Sequence, residues 1–133
     1  MNGRDKGREM ATVSYASVGS NDLEKAKAFY DALLASAGIK RLFEHPSGGR
    51  VYAKDGALCF AVLGPYDGQK ATIGNGTMIA FGFDSNAEVE AFHAKALALG
   101  GKDEGPPGER GPKYFFSYFR DLDGNKLCAY HVG

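Results

Sequence analysis

Residues 15–38 read YASVGSNDLEKAKAFYDALLASAG, and residues 78–101 read MIAFGFDSNAEVEAFHAKALALGG. At a constant offset of 63 the two stretches keep register without a gap. Gly19 falls on Gly82, Ala28-Phe29 on Ala91-Phe92, Leu34 on Leu97, and Gly38 on Gly101. One such match means nothing. A fixed offset held over the whole stretch is an internal repeat, which constrains the architecture before any element is assigned.

Each copy opens with a predicted strand, Thr12 to Val18 and Thr77 to Phe83, rich in β-branched and aromatic residues. A helix follows in each, started by an oxygen-bearing side chain with glutamate three residues on: Asn21 with Glu24, and Ser85 with Glu88. Both read as capping boxes. Leu23, Ala26, Phe29, Tyr30, Leu33 and Leu34 form an apolar stripe at helical spacing, as do Val89, Phe92, Ala96 and Leu97. Gly38 and Gly100-Gly101 end the helices. Shorter strands come next, Lys40–Glu44, Arg50–Lys54 and Ala57–Leu63 in copy one, and Lys102–Glu104, Tyr114–Arg120 and Lys126–Val132 in copy two. Turns at 46–49, 55–56 and 123–125 separate them. The order is βαβββ twice over, an α+β domain spanning 11–133. Its modules are 11–63 and 77–133, joined by a polar, glycine-rich linker at 64–76. Residues 1–10 read as a poorly ordered or appended extension.

Lysine plus arginine equals aspartate plus glutamate at 16 each, so the chain is neutral and offers nucleic acid no electrostatic footprint. No apolar run is long enough to span a bilayer, and no signal peptide is visible. Two cysteines are not a disulfide framework, so a cytoplasmic protein is expected, without nucleic-acid or membrane partners.

Strand alternation assigns Ala16 and Val18 to the helix side and Tyr15 and Ser17 to the opposite face. Ile79, Phe81 and Phe83 likewise go under the second helix, leaving Met78, Ala80 and Gly82 opposite. The small residues Ser17, Ala80 and Gly82 leave room there for a ligand. Leu58-Cys59 follows Asp55-Gly56 as Leu127-Cys128 follows Asp123-Gly124, which puts the two cysteines at matching places. Tyr130 shares the parity of Cys128, and His131 has the other. His93 reads as a half-buried packing residue and His45 as exposed. No histidine pair has metal-ligand spacing.

The run Ser17-Val18-Gly19-Ser20-Asn21-Asp22-Leu23-Glu24-Lys25-Ala26 leads to Phe29-Tyr30, and the second copy closes on Phe119-Arg120-Asp121-Leu122-Asp123-Gly124-Asn125-Lys126-Leu127. With the duplicated βαβββ order, these resemble the glyoxalase, bleomycin-resistance and extradiol-dioxygenase (vicinal oxygen chelate) superfamily over residues 11 to 132. Leu122 stands where that family commonly has proline. The resemblance implies a cupped mixed sheet with helices on its outer face, a small-molecule cavity, and homodimerisation. It also implies a divalent metal held by histidine and glutamate, whose positions map here to Tyr15, Cys59, Met78 and Cys128. A phenol, a thioether and two thiols are poor substitutes for that donor set, so no metal or other cofactor is expected.

The segment 105–113 is too rich in proline and glycine for regular structure and reads as a loop. Either it is solvated, or it lies at the mouth of the cup and brings Arg110, Lys113 and Tyr114 to a ligand. The expected cavity set is Tyr15, Ser17, Cys59, Met78, Ala80, Arg110, Lys113, Tyr114, Tyr118, Cys128 and Tyr130. The leading functional reading is metal-independent binding of a small aromatic or anionic molecule. One alternative is a lyase or isomerase using Tyr15 or an unidentified metal site. Another is a structural or partner-binding protein with a filled cavity.

Overall fold

A computed structural model describes residues 11–133, so the reading of 1–10 as an extension lies outside the described residues. In chain order the elements are β1 (Ala16–Gly19), α1 (Leu23–Ala35), β2 (Lys40–Glu44), β3 (Arg50–Lys54) and β4 (Ala57–Leu63). Then come β5 (Ile79–Gly82), α2 (Asn86–Ala98), β6 (Lys102–Glu109), β7 (Tyr114–Arg120) and β8 (Lys126–Val132). The strands form two four-stranded sheets, ordered β1-β4-β3-β2 and β5-β8-β7-β6. In each, the first strand runs parallel to the last and the other pairs are antiparallel. The cupped mixed sheet is thus built as two mixed sheets, one per module.

Both helices pack on one face of their sheets, and the two cores are continuous. Tyr30 meets Phe60 at 4.9 Å between ring centroids, Phe60 meets Phe81 of the other module at 5.7 Å, and Phe81 meets Phe92 at 5.5 Å. Stripe residues Ala26, Phe29, Tyr30, Leu33 and Leu34 of α1 are buried, as are Val89, Phe92 and Ala96 of α2.

Several local expectations are corrected. The N-cap of α1 is Asp22, whose side chain accepts from the Lys25 amide at 3.2 Å. Asn21 is thereby free to exchange two hydrogen bonds with the backbone of Ala71, which ties the linker to the helix start. Ser85 does cap α2, with Glu88 accepting from the Asp84 amide. Leu97 is exposed rather than core, and His93 is fully buried, with Nε2 3.1 Å from an Asp103 carboxylate oxygen. His45 is half-buried, because its ring bonds Ser47 across the turn. Strand β6 runs on to Glu109 through Pro106 and Pro107. It is an edge strand, and its pairing with β7 slips between Gly105 and Gly108, so the missing proline amides break no ladder bond.

The modules are locked by one buried carboxylate. Asp121 accepts from the Asp123 and Asn125 amides at 2.9 Å each and from the Asn125 side chain at 3.0 Å, which shapes the β7–β8 turn. Its Oδ2 also receives the hydroxyl of Tyr30 from α1. From the same turn Asn125 donates to the Gly19 carbonyl and Asp123 accepts from the Asn21 amide, both at 3.0 Å.

Tyr30→Phe is expected to lower unfolding stability by about 1.5–3 kcal/mol, the range for a hydrogen bond to a charged group, measured by urea titration with unchanged slope. Burial, reinforced by Asp121, holds the Tyr30 phenol well above its ordinary range, and burial beside Asp31 raises Tyr52 too. Both stay protonated in the folded chain when the unfolded chain ionises. Their contribution is therefore intact below about pH 10 and lost as pH rises beyond it. Tyr30→Phe flattens that alkaline decline; an identical decline in wild type and variant would refute the assignment.

Candidate functional site

The faces turned away from the helices carry the expected ligand residues. On β7 and β8, Ser117, Phe119, Leu127 and Ala129 are buried toward α2, so alternation sends Phe116, Tyr118, Cys128 and Tyr130 outward. Register pairs Phe116 with Tyr130, Tyr118 with Cys128 and Ala80 with Cys128. The rings of Tyr114, Phe116, Tyr118 and Tyr130 make one terrace. Phe116 lies 15° from the plane of Tyr130 at 5.0 Å, 24° from Tyr118 at 6.3 Å and 30° from Tyr114 at 6.4 Å.

Two cations stand over this terrace. The Arg110 guanidinium carbon is 5.8 Å from the Tyr118 ring centre, and Lys126 Nζ is 5.2 Å from it. Bare backbone makes the first possible. A Cβ at Gly108 would lie 3.0 Å from Arg110 Nη1, and one at Gly105 would come to 2.9 Å from the Tyr118 ring. Arg110 is held by donating to the Pro106 carbonyl at 2.8 Å. Beneath Tyr130 the floor is Gly82, where a Cβ would meet the phenol at 3.2 Å.

The expected set is not gathered into a single cavity within one chain. Arg110, Tyr114, Tyr118, Cys128 and Tyr130 share the outer face of the second sheet. Lys113 sits in the β6–β7 turn at a φ of +69°, exposed, with no ring contact among the described residues. Cys59 and Ala80 line a groove of about 790 Å³ between the modules, with Ile39, Lys54, Phe81 and Glu88. Ser17 lines a hollow of about 480 Å³ under the linker. Tyr15 and Met78 are 51% and 42% exposed.

Sequence reasoning missed Phe116 and Lys126, although the parity that selected Tyr118, Tyr130 and Cys128 also selects them. It also misplaced one cysteine. Ala16 pairs with Phe60 and Ile79 with Leu127, so Cys59 corresponds to Lys126, and Cys128 to Ala61. Phe60 and Leu127 are 67 residues apart and the turn glycines Gly56 and Gly124 are 68 apart, whereas the cysteines are 69 apart.

A His–Glu metal centre does not fit these residues. Among the described residues, no three His, Cys, Asp or Glu side chains cluster as metal ligands would. Cys128 is wholly buried, and desolvation pushes its thiol up to about 11. Burial raises Cys59 as well, against a weaker opposing effect of Lys54. Both are poor thiolate donors at neutral pH.

The model of the Glyoxalase/Bleomycin resistance protein/Dioxygenase superfamily matches residues 12–129. A glyoxalase/bleomycin resistance protein from Albidiferax ferrireducens T118 superposes with a TM-score of 0.82 at 43% identity, covering 90% of this chain and 98% of that one. Two more distant structures share the fold. The fosfomycin resistance protein FosX from Listeria monocytogenes has a TM-score of 0.68 at 20% identity, covering 94% and 96%. Lactoylglutathione lyase from Agrobacterium tumefaciens has 0.70 at 17%, covering 92% and 94%. No curated protein matches the chain.

Thiol titration at about pH 8, below the ordinary thiol pKa, is expected to report Cys59 alone in the native protein and Cys128 only after unfolding. Cys59→Ser should abolish the native signal and Cys128→Ser leave it unchanged; the reverse pattern would contradict the placement of both.

Proposed function

The chain belongs to the glyoxalase/bleomycin resistance protein/dioxygenase superfamily, and from that premise we propose that it binds a small molecule without a metal ion. The ligand is aromatic or anionic and lies on the outer face of the second sheet. The observation that carries this reading is the pairing of an aromatic terrace with two cations, on a face that presents no histidine or carboxylate set for a metal among the described residues. The relative from Albidiferax ferrireducens is named a glyoxalase/bleomycin resistance protein, and of the roles in that name the face described above supports binding of a small compound. Catalysis through Tyr15 gains no support, because the residue is half-exposed and has no hydrogen-bond partner among the described residues.

A homodimer belongs to the same proposal. In one chain the outer faces stay open, with Tyr15, Phe43, Met78 and Tyr114 between 42% and 52% exposed. A second copy laid against them would remove apolar surface from water and close the site over its ligand. The two free cysteines suit a reducing compartment such as the cytoplasm.

Protein stripped with chelator and verified by elemental analysis is expected to keep its melting temperature and still be stabilised by compounds in a broad thermal-shift screen. A stoichiometric first-row metal needed for binding, or no stabilising compound at all, would refute the reading. Sedimentation equilibrium should give twice the chain mass; a monomer would remove the dimer.

A further inference from the structure

Ring geometry separates the outer face of the second sheet from the core. Core ring pairs cross at 41° to 85°, the tilted and edge-on contacts of close packing. The outer pairs lie within 15° to 30°. Near-parallel rings on a half-exposed face form a stacked row, which a flat guest extends by stacking. An aliphatic guest gains nothing from that alignment.

Charge then decides the sign of the guest. Aromatic faces alone attract cations, but here two resident cations already lie within 6 Å of the Tyr118 centre. Among the described residues, neither Arg110 nor Lys126 is paired with a carboxylate. Arg120, which shares their face, is bound to Glu104 at 3.1 Å. The local field over Tyr118 is therefore positive, a cationic guest is repelled, and an anion completes the arrangement.

The first sheet offers no equivalent. Its outer face carries Phe43, Val51 and Ala61 at paired positions, while the nearby charges Glu44, Arg50 and Asp31 bind one another on the helix side. Among the described residues the asymmetry gives one such site per chain. The glycines at 105 and 108 are part of it, since either Cβ would disturb the guanidinium or the ring beneath it.

We infer that the ligand is a planar aromatic anion, such as an aryl carboxylate, sulfonate or phosphate. It stacks on the Phe116–Tyr118–Tyr130 terrace with its charge between Arg110 and Lys126. This rests on the binding function proposed above and specifies its ligand class and the residues that select it.

The test compares four probes at neutral pH by calorimetry and NMR shift mapping: 2-naphthoate, neutral 2-naphthamide, cationic 2-naphthylmethylamine, and the non-planar anion cyclohexanecarboxylate. Naphthoate should bind about tenfold or more tightly than each of the others, as expected when stacking and charge both contribute. Its largest shifts should fall on Phe116, Tyr118 and Tyr130. Arg110→Gln and Lys126→Gln should each weaken it about fivefold, and the double variant should bind naphthoate no better than the amide. Lys54→Gln in the inter-module groove should change nothing, and the melting temperature of each variant checks its folding. Equal binding of acid and amide, preference for the amine, indifference to both substitutions, or shifts centred on the groove would overturn the inference. If naphthoate fails while the broad screen finds another ligand, the aromatic-anion assignment falls alone; if the screen is empty too, the binding function falls with it.

Discussion

The carboxylate of Asp121 is the constraint on which the arrangement of the two modules depends. A charge that is 95% removed from solvent is costly unless its lone pairs are filled, and here four donors fill them. Three come from its own turn, so the carboxylate folds the β7–β8 connection around itself. The fourth comes from Tyr30 of the other module, which makes the same charge an inter-module bolt. Once the turn is shaped, Asn125 and Asp123 reach Gly19 and Asn21 without further cost in ordering. The helix start of one module is thereby registered on the sheet of the other.

The duplication is broken at this clamp. Gly19 and Asn21 correspond to Gly82 and Asp84 at the offset of 63, and a symmetric molecule would close a second turn over them. The β3–β4 connection is too short to do so: it is Asp55 and Gly56, both at positive φ. Gly82 and Asp84 therefore line the groove between the modules. Tyr30 bonds across the modules, whereas its counterpart His93 bonds within its own module to Asp103. Among the described residues one polar clamp joins the halves beside their shared core, and it has no twin at Gly82 and Asp84.

This asymmetry explains which parts of the structure were legible in the sequence. The offset, the helical stripes and the strands from β2 to β4 and at β7 and β8 follow from patterns with periods of 3.6 and 2, which local sequence records. The path of β6 did not, because prolines argue against a strand unless the strand is known to lie at an edge, and edge position is a property of the assembled sheet. The α1 cap was ambiguous for a related reason. Asn21 and Asp22 can both cap a helix, and only the linker, 50 residues away, decides which is free to do so. The cysteine register fails because the Leu-Cys dipeptides match by identity alone, while pairing with the first strands places Cys59 opposite Lys126.

The cation pair shows the same limit and what lies beyond it. Arg110 was visible as a charge in a proline-rich segment, but Lys126 looked like an ordinary residue after a turn. They meet because β6 and β8 flank β7, so residues 16 apart in sequence approach one ring from either side. The ring belongs to β7, the central strand of the three, and Cys128 lies beside it on β8, a small apolar thiol that fits under the terrace without competing for charge. With the Cys128 thiol raised by burial, this face is neutral apart from its resident cations and paired Arg120. A metal centre needs anionic or imidazole donors directed inward at one point; this face instead has spread cations over flat apolar area. The two designs demand opposite electrostatics, and Arg110 and Lys126 beside the Phe116, Tyr118 and Tyr130 rings fit the second.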